Sequence, residues 1–560
     1  MNKDGSFNIW LSFLKKRWPI YAVGIVAVLL TNIAQVATTR IFGFLVDFFS
    51  SNKIPAFFNF DPSLPLIEQR HIFVHLFWLL LGTRFLLTLG RFGWRITLAR
   101  QTHHSSSFLR EKIWESVAYF KLKDLDRSFT KGVLMNNSNS DVNSARFLFG
   151  FSLIALIDVV FLGVFTFWAM LTINVELSMV SLIVLFYLPI IIKKLTVVEI
   201  KKYEDAQEHL SQFDDLTSQS VSSIRLQRIT QTGKYWVERL IKRADQYRNK
   251  RLSAVFTNLM FIPVMGAATF LSFLVLFVMG IGYTLNGTMS IGDFVAMQGL
   301  IVLLQDPLGE LGFIISEWRK GFTSLDRLNK IYLNEKDSSL LNKGTALIKQ
   351  DYILEVEHLG FNYDHGKEII KDLSFSMNQG DRLGIKGPIG AGKSTLVKLL
   401  AGFEREHRGV IKFHGKSYDE YSHIDLRKGI TLVPQKPFLF AGPIRQNVGM
   451  DYKLSDQEIW YFLELADLKY DVEGFKEGLD TELGEWGINL SGGQKQRLTL
   501  ARALARKPEF LLLDDCLSAV DTVTEEKILK NLDRELSDSS LIWVAHRDST
   551  LKYCNKILAL

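Results

Sequence analysis

Six stretches of mostly apolar residues dominate the first part of the chain, near 20–46, 72–97, 148–172, 174–195, 254–284 and 291–317. Each approaches or exceeds the roughly 20 residues that a helix needs to cross the hydrocarbon of a bilayer. The third and fourth are separated only by a turn near Asn174, and the fifth and sixth by LNGTMS. The connections Ala99–Phe147 and Lys193–Ser253, by contrast, are long, charged and helical in pattern. Residues 6–18, SFNIWLSFLKKRW, mix apolar and basic positions and lack a small-residue cleavage site. That pattern predicts an amphipathic interfacial helix rather than a removed leader. Farther along, short apolar runs alternate with amphipathic helical segments, as in an α/β domain. The predicted division is a membrane domain over 1–335, a linker over 336–350 and an α/β domain over 351–560.

Charge supplies an orientation. Lys15, Lys16 and Arg17 precede the first apolar stretch, and both long connections are rich in Lys and Arg. Basic residues stay on the cytoplasmic side, so the N-terminus, both long hairpins and the α/β domain are expected there, under a cell (inner) membrane. The net charge of +7 over 560 residues is modest. With no basic face bearing aromatic platforms, nucleic acid is not an expected partner. Cys516 and Cys554 both lie in the α/β part, which fits a reducing compartment.

The strongest chemical signal is GPIGAGKST: Gly387, Pro388, Ile389, Gly390, Ala391, Gly392, Lys393, Ser394 and Thr395. It follows the apolar run DRLGIKG and opens a helical segment, the setting of a phosphate-binding loop. Glycines let backbone N–H groups close around phosphate oxygens, and the helix N-terminus favours anions. Lys393 is placed to reach the terminal phosphates of ATP and the Ser394 hydroxyl to hold Mg²⁺. FLLLDD, residues 510–515, reads as a buried strand ending in two acids, with Asp514 the expected metal ligand. Between these motifs lies LSGGQKQR, in which Ser491, Gly492, Gly493 and Gln494 put donors at a helix start.

With this last motif the chain resembles the ATP-binding-cassette (ABC) family, along essentially its whole length. The fold class that follows is a multidomain membrane protein. It joins a six-helix transmembrane bundle with long cytoplasmic hairpins to an α/β P-loop ATPase domain. The resemblance implies that Ser491 to Gln494 face a nucleotide on a second subunit. It also implies that Tyr363 stacks on adenine, that Gln435 contacts Mg²⁺ or attacking water, and that His546 sits near the γ-phosphate. Ser518 to Asp521 would join the two sites. TELGEWG, residues 481–487, resembles an exporter segment whose usual arginine is here Trp486. TKGVLMNNSNSDV, TMSIGDFVAMQG and SLDRLNKIY resemble exporter hairpin and span segments. RFGWRITLAR resembles the bacterial heterodimeric multidrug-type branch. Cassettes that it resembles usually carry a short strand-and-helix tail, and the sequence stops at NKILAL before it, as a truncated or a naturally short chain would.

One departure bears on mechanism. The general base after the metal-binding aspartate is glutamate in most active cassettes of the family, and here it is Asp515. A side chain one methylene shorter withdraws its carboxylate by about 1.5 Å. The expectation is tight ATP binding with slow hydrolysis at this site, and a partner half-transporter that carries an intact glutamate. The alternative is a homodimer in which Asp515 works through an adjusted water. The implied activity is ATP-driven export of amphipathic small molecules, lipids or peptides. An ATP-gated channel or regulatory subunit, or an importer on the exporter fold, are the rival readings. For the substrate pathway, Arg84, Asp158, Gln298 and Gln305 are candidates. Arg84 shares one helical face with Arg91 and Arg95; Arg91 and Arg95 read as positive-inside anchors near the cytoplasmic interface, and Arg84 alone reads as deep. Asp158 reads equally as half of an ion pair, and the glutamines as interhelical hydrogen bonds.

Overall fold

The computed structural model describes all residues except 1–3, 51–68, 342–343, 345–351, 364–365, 537–538 and 546. The chain forms two compact units: Met1–Ala118 with Ser128–Asn334, and Tyr119–Arg127 with Glu335–Leu560.

The first unit is helical. It comprises α1 (Asp4–Lys16), α2 (Trp18–Ser50), α3 (Arg70–Trp94), α4 (Arg100–Val117), α5 (Phe151–Ile173), α6 (Val175–Phe186), α7 (Leu188–Ser222), α8 (Gly233–Leu259), α9 (Phe261–Leu285) and α10 (Ile291–Tyr332), with shorter helical segments and turns between. Among the described residues, four helices are long and apolar enough to cross a membrane: 18–50, 70–117, 131–173 and 233–285. The fourth expected span corresponds to α6 running into α7. The sixth corresponds to α10, whose apolar part is the shorter Ile291–Gln305.

Helix α1 packs part of its apolar side on protein. Ile9 and Phe13 are buried, Phe13 packs on the rings of Phe108 and Phe149, and Trp10 Nε1 donates to the Leu148 carbonyl at 3.0 Å. Phe7 on the same helix stays exposed.

Helices α2 and α10 cross where both carry glycine. A Cβ on Gly292 would lie 2.0 Å from the Gly43 carbonyl oxygen, so only glycine permits this approach. One turn on, the buried Asp47 accepts from Ser290 Oγ at 2.6 Å and from the Gly292 amide at 2.7 Å. That satisfies donors at the start of α10, where Ser290 itself caps Asp293 N. Arg40 pairs with Asp293 at 3.0 Å beside them. In the first long connection, Asp141 of NNSNSDV is buried and accepts from Arg327 of SLDRLNKIY at 3.0 Å.

The second unit is built on two main sheets and a two-stranded ribbon that pairs β7 (Gly442–Pro443) with β8 (Glu482–Leu483). One is antiparallel, in the order β2-β1-β4-β5, from β1 (Tyr352–Phe361), β2 (Ile370–Asn378), β4 (Arg408–Phe413) and β5 (Lys416–Ser417). The other is parallel, in the order β11-β3-β10-β9-β6, from β3 (Arg382–Lys386), β6 (Ile430–Val433), β9 (Phe510–Asp514), β10 (Ser540–Val544) and β11 (Lys556–Ala559). Strands β9 and β10, FLLLD and SLIWV, are buried at every position. Central strands covered on both faces require such uninterrupted apolar runs. The helix α11 (Lys393–Leu400) packs Leu396, Val397, Leu399 and Leu400 into the core with Phe413, Phe510 and Ile542. A second core gathers Leu463, Leu498, Leu500 and Ile528 around α12 (Gly492–Leu504) and α13 (Thr522–Glu535).

Segment Tyr119–Arg127, from the first long connection, is part of this unit. Phe120 forms a bridge with Lys336, and Asp337 N donates to the Tyr119 carbonyl at 2.7 Å. Lys123 Nζ lies 2.7 Å from the Glu406 carboxylate, and Lys121 reaches Glu335 at 3.0 Å. The Lys123 hydrogen bond holds the Glu406 carboxyl below its usual range. Complementary charge therefore accounts for a membrane-domain segment clustering here.

Candidate active site

The C-terminal ends of β3, β9 and β10 converge, because β10 pairs in parallel register with both neighbours: Val544 opposite Ile385 and opposite Asp514. Ligands of open parallel sheets bind at these strand ends. After β3 the chain turns through Gly387–Gly392 into α11. Gly390 and Gly392 have φ of 86° and 93°. A Cβ on Gly392 would also come within 2.5 Å of the Ile369 side chain. Glycine is the residue that adopts such a loop without strain, and its bare amides are what a phosphate requires.

Side chains meet here from four segments. Lys393 Nζ donates to the carbonyls of Gly387 and Pro388 at 2.7 and 3.0 Å. Ser394 Oγ donates to Asp514 Oδ1 at 3.0 Å, joining the loop to the end of β9 across 120 residues. Burial pushes the Asp514 carboxyl above its usual range; the neighbouring Asp515 adds to this and the Ser394 hydrogen bond opposes it. Gln435 Nε2 donates to Asp515 Oδ2 at 3.0 Å. Asp515 itself has φ of 46°, in the left-handed region, with its amide held by the Val544 carbonyl at 3.0 Å. Aspartate enters that region more readily than most residues. Tyr363 stands edge-on to Phe361, its hydroxyl 3.4 Å from Thr395 Oγ1. His546 lies outside the described residues.

The signature residues form a separate group. Ser491 is the N-cap of α12, in a reciprocal capping box with Gln494. Gln494 Nε2 also donates to Asp471 at 2.8 Å. Behind them Gln496 bonds Ser518 Oγ at 3.1 Å and the Ala519 amide at 2.8 Å, tying α12 to the SAVD loop. Among the described residues the signature side chains bond to no residue of the phosphate loop. Trp486 has φ of 59° and meets Phe438 with ring centroids 5.0 Å apart. This contact links TELGEWG to the loop that follows Gln435.

Sequence reasoning missed Glu525 and Arg547. Glu525 is buried on α13 and bonds Arg547 and Thr550; with Asp515 and Ser518 they line a cavity of about 180 Å³. The available signal was the position of Arg547 directly after His546. In the first unit, Arg84 is exposed on α3, while Asp158 on α5 and Gln298 and Gln305 on α10 are half-buried. The Asp158 carbonyl accepts from Asn32 at 3.4 Å. No hydrogen bond among the described residues joins these four to one another.

A phosphate loop, a metal-type aspartate and a capped signature helix, carried on the same chain as membrane-length helices, define a nucleotide-hydrolysing membrane transporter. The chain belongs to the ABC transporter family: the ABC transporter profile matches residues 370–518 and the ABC transporter transmembrane region profile residues 21–308. It binds and hydrolyses ATP, and its fold is of the exporter type. It is 29% identical to the multidrug resistance-like ATP-binding protein MdlA of Buchnera aphidicola (subsp. Schizaphis graminum), covering 99% of this chain and 93% of that protein. It is 33% identical to the pediocin PA-1 transport/processing ATP-binding protein PedD of Pediococcus acidilactici, over 50% of this chain and 39% of that one. A bacterial Atm1-family ABC exporter solved with ATP bound shares the fold, with a TM-score of 0.74 at 24% identity over 98% and 94% of the two chains.

Proposed function

We propose that this chain is one half of an ATP-driven exporter that works with a second, different half-transporter in the cell (inner) membrane, with its cassette and N-terminus cytoplasmic. The observation that carries the reading is Asp515, which stands at the position of the general base and is bonded to Gln435, in a chain whose signature helix is intact. A shortened base slows this chain's own site, while Ser491 to Gln494 complete a faster site on the partner's nucleotide. The separation of the signature group from the phosphate loop supports composite sites shared between two cassettes. A charged group displaced by about 1 Å can lose on the order of 10² in rate.

The residues of the slow site suit Mg²⁺. Ser394 Oγ, the buried Asp514 carboxylate and the Gln435 carbonyl are hard oxygen donors of the kind this ion takes. The ion would neutralise charge on the β- and γ-phosphates. Lys393 would leave its carbonyl partners for those phosphates, Tyr363 would carry the adenine, and His546 would face the γ-phosphate. Amphipathic small molecules, lipids or peptides are the cargo, in keeping with relatives named for multidrug resistance and for pediocin transport. Arg84, Asp158, Gln298 and Gln305 are carried forward as pathway residues.

The test is the intact mass of the complex drawn from its native membrane by a tag on this chain. Two different half-transporters in equal amounts support the reading. A single mass present twice overturns it and makes Asp515 a working base.

A further inference from the structure

Two stretches of the first unit contain no Asp or Glu: 5–46, which carries most of α1 and α2, and 69–110, which carries α3 and the start of α4. The two pack against each other in opposite directions. A Cβ on Gly90 would lie 2.4 Å from Thr31 Oγ1, and one on Gly24 2.2 Å from Leu98 Cγ. Close contact along this length sets both at one height, so their basic ends meet. Arg17, in the break between α1 and α2, donates from Nη1 to Gln101 Oε1 at 3.0 Å. Gln101 is buried, and its Nε2 donates to the Thr97 carbonyl at 3.0 Å, which keeps Oε1 turned to Arg17. The Phe13 ring supports the guanidinium, 5.0 Å from its carbon.

Cations crowd this place. The charges acting on His104 of α4 are those of Arg17, Arg100 and His103, with no carboxylate among them. Arg100 is exposed, and neither it nor Arg17 makes an ion pair among the described residues. The surface beside the cluster is apolar. Phe92, Ile96 and Arg100 follow at a spacing of four, and Phe92 and Ile96 are exposed. Trp18, next to Arg17, is 67% exposed at the start of an apolar helix, where tryptophan marks the bilayer boundary.

We infer that Arg17 and Arg100 form a binding site for the phosphate of an anionic glycerophospholipid, whose acyl chains lie along Ile96 and Phe92 and whose headgroup rests beside Trp18. The two guanidiniums repel each other, and a phosphate between them turns that repulsion into a bridge joining the start of α2 to α4. A free phosphate ion meets the same guanidiniums, but the exposed apolar strip above them favours a ligand with chains. The lipid is a bound component of the helical surface and is distinct from any cargo. The inference needs only that α2 and α3 cross a bilayer; neither a partner subunit nor a transported substrate enters it.

The experiment uses the full-length transporter in detergent, with any partner subunit it retains. It is incubated with an equal mixture of dioleoyl phosphatidylglycerol and dioleoyl phosphatidylcholine and then gel-filtered. Bound lipid is extracted and counted by mass spectrometry, with empty micelles subtracted. Phosphatidylglycerol is expected to be retained about tenfold over phosphatidylcholine, the order of magnitude that basic side chains give near a lipid surface. In the Arg17→Gln, Arg100→Gln double variant the ratio falls to within about threefold, and Arg17→Lys, Arg100→Lys recovers most of it. Arg100→Gln alone, at an exposed position with no bond to lose, lowers the ratio without altering the melting point. Excess inorganic phosphate leaves the parent's ratio unchanged. Equal retention of the two lipids by the parent overturns the site without recourse to any variant. So does an unchanged ratio in a double variant that melts like the parent. Loss of the phosphatidylglycerol to inorganic phosphate also overturns it, since the site would then take free anions.

Discussion

Replacing Asp515 by glutamate tests the chemistry of the cassette most directly. The added methylene carries the carboxylate about 1.5 Å farther from the backbone. In the parent its Oδ2 accepts from Gln435 at 3.0 Å, so the longer side chain must either displace Gln435 or turn toward the phosphate loop. Two terms oppose each other. Proper placement of a general base contributes about 10²–10⁴ in rate, and a misplacement of about 1 Å forfeits roughly 10² of it. Against this, glutamate lacks the local hydrogen bonding that eases aspartate into a left-handed φ, here 46°, which costs about 1–2 kcal/mol. That cost falls on folding, where a domain has about 5–15 kcal/mol in reserve, and leaves the barrier gain intact. The expected outcome of Asp515→Glu is a rise of about ten- to a hundredfold in single-turnover ATP hydrolysis at this chain's site. It is read in the full complex with the partner's own base disabled. Asp515→Asn should change the slow rate by less than about threefold. No rise with glutamate, or a loss of about a hundredfold with asparagine, refutes the reasoning, since either shows that aspartate already serves as a competent base.

Three further outcomes follow from the geometry. Because burial raises the Asp514 pKa in the folded chain, the folded state takes up its proton more readily than the unfolded one. Ionisation of Asp514 therefore costs stability as pH rises through its unfolded value and then its folded value. Asp514→Asn should leave the nucleotide-free protein no less stable at pH 7.5 while abolishing Mg²⁺-dependent hydrolysis; a lowered melting point contradicts this. In the unaltered protein, Mg²⁺ dependence should weaken on acidification at a pH above the usual aspartate range of about 3.9. Gly292→Ala forces a Cβ to within 2.0 Å of the Gly43 carbonyl oxygen and 2.5 Å of the Asp47 carboxyl carbon, while the backbone amide that bonds Asp47 remains. It should destabilise the membrane unit by about 1–3 kcal/mol, seen as early thermal aggregation in detergent; unchanged behaviour would show the crossing to be loose. Trp486→Gly relieves a left-handed residue, worth about 1 kcal/mol, and loses an edge contact on Phe438 of similar size. Thermal stability should shift little, and a large fall would assign Trp486 a packing role that its exposure argues against.

The parts of this molecule that could be read in the sequence are those whose physical cause is local. The phosphate loop needs closely spaced glycines, the buried strand FLLLD needs consecutive apolar residues, and the signature helix begins with its own cap. Membrane-length apolar stretches likewise announce themselves by composition alone. What could not be read depends on partners distant in the chain. Asp47 stands in the sequence just beyond an apolar stretch with nothing beside it to mark a role, and only the fold brings the donors of Ser290 and Gly292 to it. Asp141 with Arg327, and Glu525 with Arg547, are pairings across long sequence separations. The attachment of Tyr119–Arg127 to the second unit was hidden for the same reason, as it rests on Lys121 and Lys123 meeting Glu335 and Glu406. The left-handed backbone at Asp515 leaves no mark in a one-letter code, although it decides how a longer side chain would be received.

The anchoring of α10 at Asp47 also sets a lever. This helix runs 42 residues from Ile291 to Tyr332, about 63 Å at 1.5 Å per residue. At its first turn the bonds to a buried carboxylate and the glycine crossing hold it to α2, so sliding or spinning there would break several contacts at once. Toward the other end Arg327 is bonded to the buried Asp141, and Leu325, Leu328 and Ile331 are fully buried. A tilt of 5° about the anchored turn, which would carry Tyr332 by roughly 5 Å over a rod of that length, has to take those packed neighbours with it. Pro307 interrupts the hydrogen-bond ladder within the helix and offers one place for such a tilt to be taken up. Substitutions at the crossing and at Pro307 should therefore differ in kind: the first loosens the fulcrum, and the second changes how far the arm swings.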